Sequence, residues 1–557
     1  MMRHGDGATS VGAHSAVVSL ATALAAAWMM LRWPLPLWML SDSDWVHQLG
    51  GAAQILHGEH PFIDWHTDYG PLRYYPSALA QWLFGRCTLS ELALVTAAYA
   101  AAYGLLFDQM WRASRSRVIA AVLLFVALML APRLYKYYVV LGPLLCLSAA
   151  WREIDRPSTG SLVGLAAALT LMALFRADFG VFGGAAALIA ILTGPPSLAQ
   201  RLRRLAQLGI CILLFAAPWL LWLWWRGGLL TYLADTALNG PGHAGSMALP
   251  FPSFDGSQPL HAPNNVTWML FVCFYALPPL TLLVALWPAA RREPAERRRI
   301  VAAVALAQGV LLHAAHRSDY SHMLQAIAPC FVLCAWLAGR LWRPAGAYGA
   351  RARIVRVGAA AGLTGAVLVA VAAGVGVGGW PSPYAGIGLL AWREHALQPA
   401  ALLERLAAQS GDTSLVQAMR YLQRCAAPTD HIVALPPDIG AYYFSDRPFG
   451  GGLPAWSPGF FSSAADQRDW IDTVRRQRVP LIIGDGSNML DNRLERRFDR
   501  YSPLIMAYVD TAYVEIGRFG TIPVRALRGS RLPVAWESGA APPCPIAPGA
   551  PQDVGAP

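Results

Sequence analysis

Lysine is all but missing from this chain. Lys136 is the single lysine among 557 residues, so the 44 Lys+Arg are otherwise all arginine. In a sequence so rich in Ala, Gly and Pro, that bias follows codon composition and carries little functional information by itself. Charge of either sign is also scarce: 14% of residues are charged and 55% are hydrophobic, with a mean hydropathy of +0.38. This excludes an ordinary soluble chain of such length and points to a polytopic membrane protein. The net charge of +11 is therefore read through membrane topology rather than as affinity for nucleic acid. An internal repeat is absent too, and the ionisable residues do not sit mid-span, which speaks against a transporter or a flippase of lipid-linked glycans.

What is abundant is apolar sequence. Runs at about 15–39, 89–111, 118–133, 137–151, 159–175, 179–195, 205–226, 265–288, 300–316, 322–341 and 355–377 predict about 11 transmembrane helices, several close to the lower limit of ~17 residues for a span. The first run is long and followed by ten others, so it reads as an uncleaved anchor rather than a signal peptide. Arginine clusters fall at 112–117, 152–156, 201–204, 291–299 and 340–356, after every second run. Cations in short loops stay cytoplasmic, which puts the N-terminus inside and everything beyond residue 378 outside. The threading requires that "GPLRYYPSALAQWLFG" (70–85) not cross. It is short, carries Arg73 and Gln81, and has the aromatics of a helix lying flat on the outer surface.

With that topology the remaining polar groups collect on the outer side. They are Asp44, Asp64 and Asp68 in the loop after the first run, "RLYKYY" (133–138), "FRADFG" (175–180), the loop 227–264 and "HRSDYSHMLQ" (316–325). Ionisable groups at membrane helix ends are costly and usually functional. Snorkelling to lipid phosphates is an equal reading for Arg133 and Lys136, and structural ion pairing for Arg176 with Asp178 and for Arg317 with Asp319. The collective bias is less easily explained, because positive-inside sorting removes cations from that side.

The first external loop resembles that of the GT-C superfamily of glycosyltransferases, of the protein O-mannosyltransferase and aminoarabinose-transferase type. Asp44 takes the first acidic place, Gly58, Pro61, Phe62 and Asp64 the middle segment "LHGEHPFIDW", and Pro71, Leu72, Tyr74 and Tyr75 the last. The second acid of the family's usual pair is replaced by Trp45. The resemblance implies an inverting transfer of a sugar from a polyprenyl-phosphate carrier to an external acceptor, in a multi-pass protein of a bacterial inner membrane with a periplasmic C-terminal domain. An oligosaccharide polymerase or ligase would use the same kind of carrier. Carrier chemistry at the membrane surface suits these residue types. A carboxylate removes the acceptor's proton, which is the catalytic role expected of Asp44. Cations stabilise the leaving phosphate, the role expected of Arg133, Lys136, Arg176, Arg317 and His322. Asp64, Asp68, Arg73, Asp178 and Asp319 complete the expected substrate-binding set. Asp44, Asp64 and Asp68, with His47, His57, His60 and His66, are candidate ligands for a divalent ion, although their spacing matches no standard zinc pattern. His243 lies in the fourth external loop and reads as an ordinary surface histidine.

Three segments follow: a transmembrane domain over 1–377, an external α/β domain over 378–534 and a Pro/Ala/Gly-rich tail over 535–557 expected to be disordered. In the α/β domain "HALQPAALLERLAAQ" and "SLVQAMRYLQRCA" have helical periodicity, "HIVALP" and "PLIIGD" read as buried strands, and "AADQRDWIDTVRRQRV" as the amphipathic helix between them. It is expected to cover the external cavity or to bind the acceptor. It has no glycine-rich phosphate fingerprint, and "GDGSNM" is a turn. Of eight cysteines, 87, 425 and 544 face the oxidising side, and a Cys425–Cys544 bridge is one open pairing that spacing does not support.

Overall fold

The computed structural model describes residues 16–27, 43–130, 136–195, 197–239, 245–286, 293–341, 350–374, 399–436, 440–487, 489–530 and 544–545. The chain forms two compact units. One contains Met1–Pro34, Ala93–Leu220 and Ala248–Leu389, and the other Leu35–Leu92, Leu221–Met247 and Leu390–Pro557.

The first unit is helical. Of the expected spans, the described parts fall on helices, the run 322–341 on two of them, and four helices, Leu89–Ser114, Leu198–Trp225, Pro263–Leu286 and Pro294–His316, are long and apolar enough to cross a membrane among the described residues, against the 11 expected. Tyr320–Ala326 and Ala328–Leu341, bent by 57° at their junction, make a fifth candidate as a broken span. The helices Ala16–Ala27, Arg117–Met129, Thr159–Phe175, Ala177–Leu192 and Val357–Ala372 are apolar but shorter.

Hydroxyl and carboxylate caps set several helix starts. Ser116 accepts from Ile119 N, Ser158 and Ser161 form a capping box, and Asp319 accepts from His322 N. Small residues set the close helix contacts. A Cβ on Gly309 would lie 2.9 Å from Phe182, and one on Gly183 would lie 2.9 Å from Leu169. Glycine therefore lets Pro294–His316 and Thr159–Phe175 approach Ala177–Leu192 closely, which multiplies the dispersion contacts between them. At one end of this bundle the arginines are held by carboxylates, Glu153 and Glu296 buried and Asp155 exposed. Glu153 takes Arg204 at 2.6 Å and the hydroxyl of Ser161 at 2.5 Å, Glu296 takes Arg340 and the Trp336 indole, and Asp155 lies 3.5 Å from Arg299. The opposite ends of the same helices begin or finish at Lys136, Arg176 and Arg317.

The second unit joins the first loop to an α/β layer. A four-stranded sheet has the order β1-β2-β4-β3, with β1 Val433–Ala434, β2 Leu481–Ile483, β3 Tyr513–Phe519 and β4 Ile522–Leu527. β1 and β2 are parallel and joined through the helix Ala464–Gln477; β4 is antiparallel to β2 and to β3. That crossover helix starts at a Ser463/Asp466 capping box and packs Trp470 and Val474 onto Val433, Ile482, Phe498 and Val509. The β3–β4 hairpin is an addition to the sequence reading. A bulge at Glu515/Gly517 breaks the alternation of β3 and shifts its register, and Pro523 interrupts β4.

The first loop begins with the helix Ser43–Leu56 and ends with the ten-residue helix Tyr75–Phe84. Glu91 fastens the two together: Ser77 Oγ donates to it at 3.1 Å and Gln81 at 3.3 Å, and Gln48 donates to Ser77 at 2.9 Å. The helix Tyr75–Phe84 turns Ser77, Ala78, Ala80 and Gln81 inward and leaves Leu79, Trp82, Leu83 and Phe84 exposed. Cys425 and Cys544 are joined in a disulfide with a Cα–Cα distance of 4.9 Å, across 119 residues. The rest of the expected disordered tail, apart from Pro545, lies outside the described residues, as do Arg133 and His243.

Candidate active site

In the first unit, two short stretches of the same pattern, Arg-x-Asp, are placed at helix starts. Arg176 precedes the helix Ala177–Leu192, and its Nε donates to Asp178 at 2.9 Å. Arg317 ends the helix Pro294–His316, and its Nε donates to Asp319 at 3.2 Å. Each carboxylate also holds a histidine. His322 Nδ1 lies 2.8 Å from Asp319, and His313 Nδ1 lies 3.5 Å from Asp178. The two imidazoles are 6.0 Å apart between ring centroids, so Arg176, Asp178, His313, His322, Asp319 and Arg317 form one continuous polar array.

Lys136 stands at the start of the helix Tyr137–Asp155, which packs against Ala177–Leu192 and Tyr320–Ala326. It is buried at 2% exposure, and Tyr138 beside it stacks on Phe175 at 5.1 Å. Three helix N-termini therefore share the region with three cations. Helix N-termini carry partial positive charge and unpaired N–H groups, and guanidinium forks match phosphate oxygens. Two carboxylates hold the arginines in place and offset part of that charge. Sequence reading found every member of the array except His313. Its signal was a histidine in "LLHAAH", three residues before His316 at the last turn of an apolar helix.

In the second unit the residues of the first loop are each engaged locally. Asp44 lies in the first turn of Ser43–Leu56, and its side chain is outside the described part of the structure. Asp64 accepts from His60 N at 2.8 Å and closes the tight segment Pro61–Trp65, where Phe62 takes a φ of 68°. Asp68 is half-buried, whereas Arg73 is completely buried with its guanidinium 3.6 Å from the Tyr69 ring centroid. His47 meets the Tyr74 hydroxyl at 3.2 Å, and the same hydroxyl lies 2.8 Å from Thr67 Oγ1. His60 meets Tyr75 at 3.0 Å; burial first, and Arg226 as well, lower its proton affinity against the pull of Asp64. Among the described residues, no group of three or more His, Cys, Asp or Glu comes together to hold a metal ion.

Two histidine–carboxylate pairs that sequence spacing does not reveal join this loop to the α/β layer. His431 Nε2 lies 2.7 Å from Glu59, and His57 Nε2 lies 3.1 Å from Asp446, which Arg86 also contacts. Burial works to raise Glu59, but His431, Gln54 and His57 together hold it below its ordinary value. At Asp446 the His57 hydrogen bond, with Arg86, outweighs burial and lowers it too. Carboxylates with lowered folded values contribute stability that is present above their unfolded values, near pH ~4, and lost as pH falls through the folded values. Backbone protection at residues 54–60 and 431–447, taken relative to the intrinsic exchange rate at each pH, is therefore expected to be high at pH 7 and to fall below pH ~4. Glu59→Gln with Asp446→Asn should remove that acid-dependent step. An identical acid profile in the double variant would show that these pairs do not hold the contact.

No protein-family model and no curated protein sequence matches the chain. Among solved structures it is similar to the crystal structure of ArnT from Cupriavidus metallidurans in the apo state, with a TM-score of 0.46 and 14% identity over 93% of this chain and 98% of that one.

Proposed function

We propose that this chain is a membrane glycosyltransferase of the GT-C type, moving a sugar from a polyprenyl-phosphate carrier to a glycan, lipid or protein acceptor on the external face of the inner membrane. The observation that carries the reading is the paired array Arg176–Asp178–His313 and Arg317–Asp319–His322, with Lys136 at the start of a helix that packs on Ala177–Leu192 and Tyr320–Ala326. Fixed cations at helix ends suit a phosphate that gains charge as a bond to it breaks. In this reading the acceptor oxygen forms a bond to the anomeric carbon from the side opposite the phosphate. Its proton passes to the Asp44 carboxylate, and the C–O bond to the carrier breaks with its electron pair leaving on the phosphate. Attack from the opposite side inverts the anomeric centre.

Residues 1–377 house the transfer, and residues 378–534 form the external domain. The Cys425–Cys544 disulfide favours an oxidising compartment for that domain, and the exposed Leu79, Trp82, Leu83 and Phe84 favour a resting place for their helix in the headgroup layer.

The purified full chain, given a polyprenyl-phosphate sugar and an envelope extract, should release polyprenyl phosphate and mark one glycan, lipid or protein with the sugar. Mass spectrometry of envelope glycans from a deletion strain should show that mark missing. Unchanged glycans together with no carrier turnover would end the proposal.

A further inference from the structure

His66 belongs to the first loop but is held from three directions by other parts of its own unit. Its main-chain N–H donates to Gly452 O at 2.9 Å, its ring lies 4.1 Å from that of Phe461, and its Nδ1 lies 3.0 Å from Asp235 Oδ2. Asp235 is buried, with 2% side-chain exposure against 34% for His66. The same carboxylate oxygen also receives Thr67 N at 3.4 Å. A carboxylate this deeply buried is stable only where donors meet it. In the neutral ring, a proton on Nδ1 makes the bond to Asp235 and leaves the lone pair on Nε2. Among the described residues no partner takes Nε2.

Two backbone features accompany the pair. Asp235 sits in a π-helical turn, Ala234–Asn239, and Phe461 takes a φ of 51°. Both kinds of irregularity gather at functional sites. An imidazole acceptor of fixed direction beside an aromatic face, with a buried negative charge behind it, suits a ligand that offers neutral hydroxyl donors and an apolar C–H surface. It disfavours phosphate and carboxylate.

We propose that His66, Asp235 and Phe461 form a carbohydrate subsite in which His66 Nε2 accepts a hydrogen bond from a ring hydroxyl and Phe461 lies against the sugar's C–H face. The proposal rests on the glycosyl-transfer reading and names the acceptor class as a carbohydrate, bound in part by the α/β domain through Phe461.

The test uses the detergent-solubilised full chain and methyl α-D-glucopyranoside as the probe, with saturation-transfer NMR as the readout. The native chain should transfer saturation to the glycoside and not to a Ser/Thr-containing tripeptide. His66→Ala and Asp235→Asn should abolish the transfer, and His66→Gln, whose side-chain oxygen can accept the same bond, should retain part of it. Hydrogen exchange of residues 43–92 reports whether each variant keeps its fold. A glycoside signal that survives in folded His66→Ala overturns the subsite, as does its absence in the native chain or a signal from the tripeptide instead. Because the probe needs no donor, polyprenyl-phosphate binding measured on the same samples separates the outcomes. Carrier bound without glycoside overturns the subsite alone, and glycoside bound without carrier overturns the transfer reading.

Discussion

Replacing Asp44 by Asn is expected to lower sugar transfer by on the order of 10²-fold or more while carrier binding persists. The amide keeps the size of the carboxylate and most of its hydrogen bonding but cannot take the acceptor's proton. Because the residue lies in the first turn of Ser43–Leu56, an uncharged side chain also forfeits a small favourable interaction with the helix N-terminus, roughly 0.3–1 kcal/mol. That is too little to unfold the loop. Asp64→Asn should cost less transfer, because Asp64 already spends a carboxylate oxygen on His60 N at 2.8 Å, and Asp68→Asn should also cost less. Single-turnover rates with saturating carrier isolate the proton-transfer step. An Asp44→Asn protein of native rate would remove the base assignment and with it the anchor of the motif that suggests the family.

The second large effect is expected at the cations. A charge-assisted hydrogen bond contributes roughly 1.5–3 kcal/mol, so losing one such contact from Arg176 or Arg317 should raise the dissociation constant for polyprenyl phosphate by about 10- to 100-fold. Truncating an arginine alone leaves Asp178 or Asp319 without its partner, and that imbalance destabilises the bundle for reasons unrelated to the carrier. The informative variants are therefore Arg176→Gln with Asp178→Asn, and Arg317→Gln with Asp319→Asn, which retain hydrogen bonding between neutral groups. Arg176→Lys tests geometry at constant charge, since an ammonium is a point charge without the planar fork. Titration of each folded variant with polyprenyl phosphate gives the answer. Native affinity in both double variants would return the two Arg-x-Asp stretches to a purely structural role.

Local chemistry explains why part of this was legible from residues in order. Apolar runs, arginines after every second run and the i, i+2 spacing of Arg176 with Asp178 and Arg317 with Asp319 are all short-range features. Partition between water and lipid, helix periodicity and side-chain reach act over the same short distances, so the helical segments and the polar helix ends could be placed. The strands at Val433–Ala434 and Leu481–Ile483 were readable as short apolar runs, whereas the β3–β4 hairpin was hidden because the bulge at Glu515/Gly517 interrupts the period of two and Pro523 weakens the strand signal of β4.

Tertiary structure alone decided the partners. Glu59 meets His431 across 372 residues, His57 meets Asp446 across 389, and His66 meets Asp235 across 169. Cys425 found Cys544 across 119. A single sequence records that these groups are ionisable or oxidisable, but nothing in their spacing says which will be desolvated together. That choice is made when the apolar contacts around Trp65, Phe449 and Trp470 close. Packing then determines which carboxylate each histidine must neutralise.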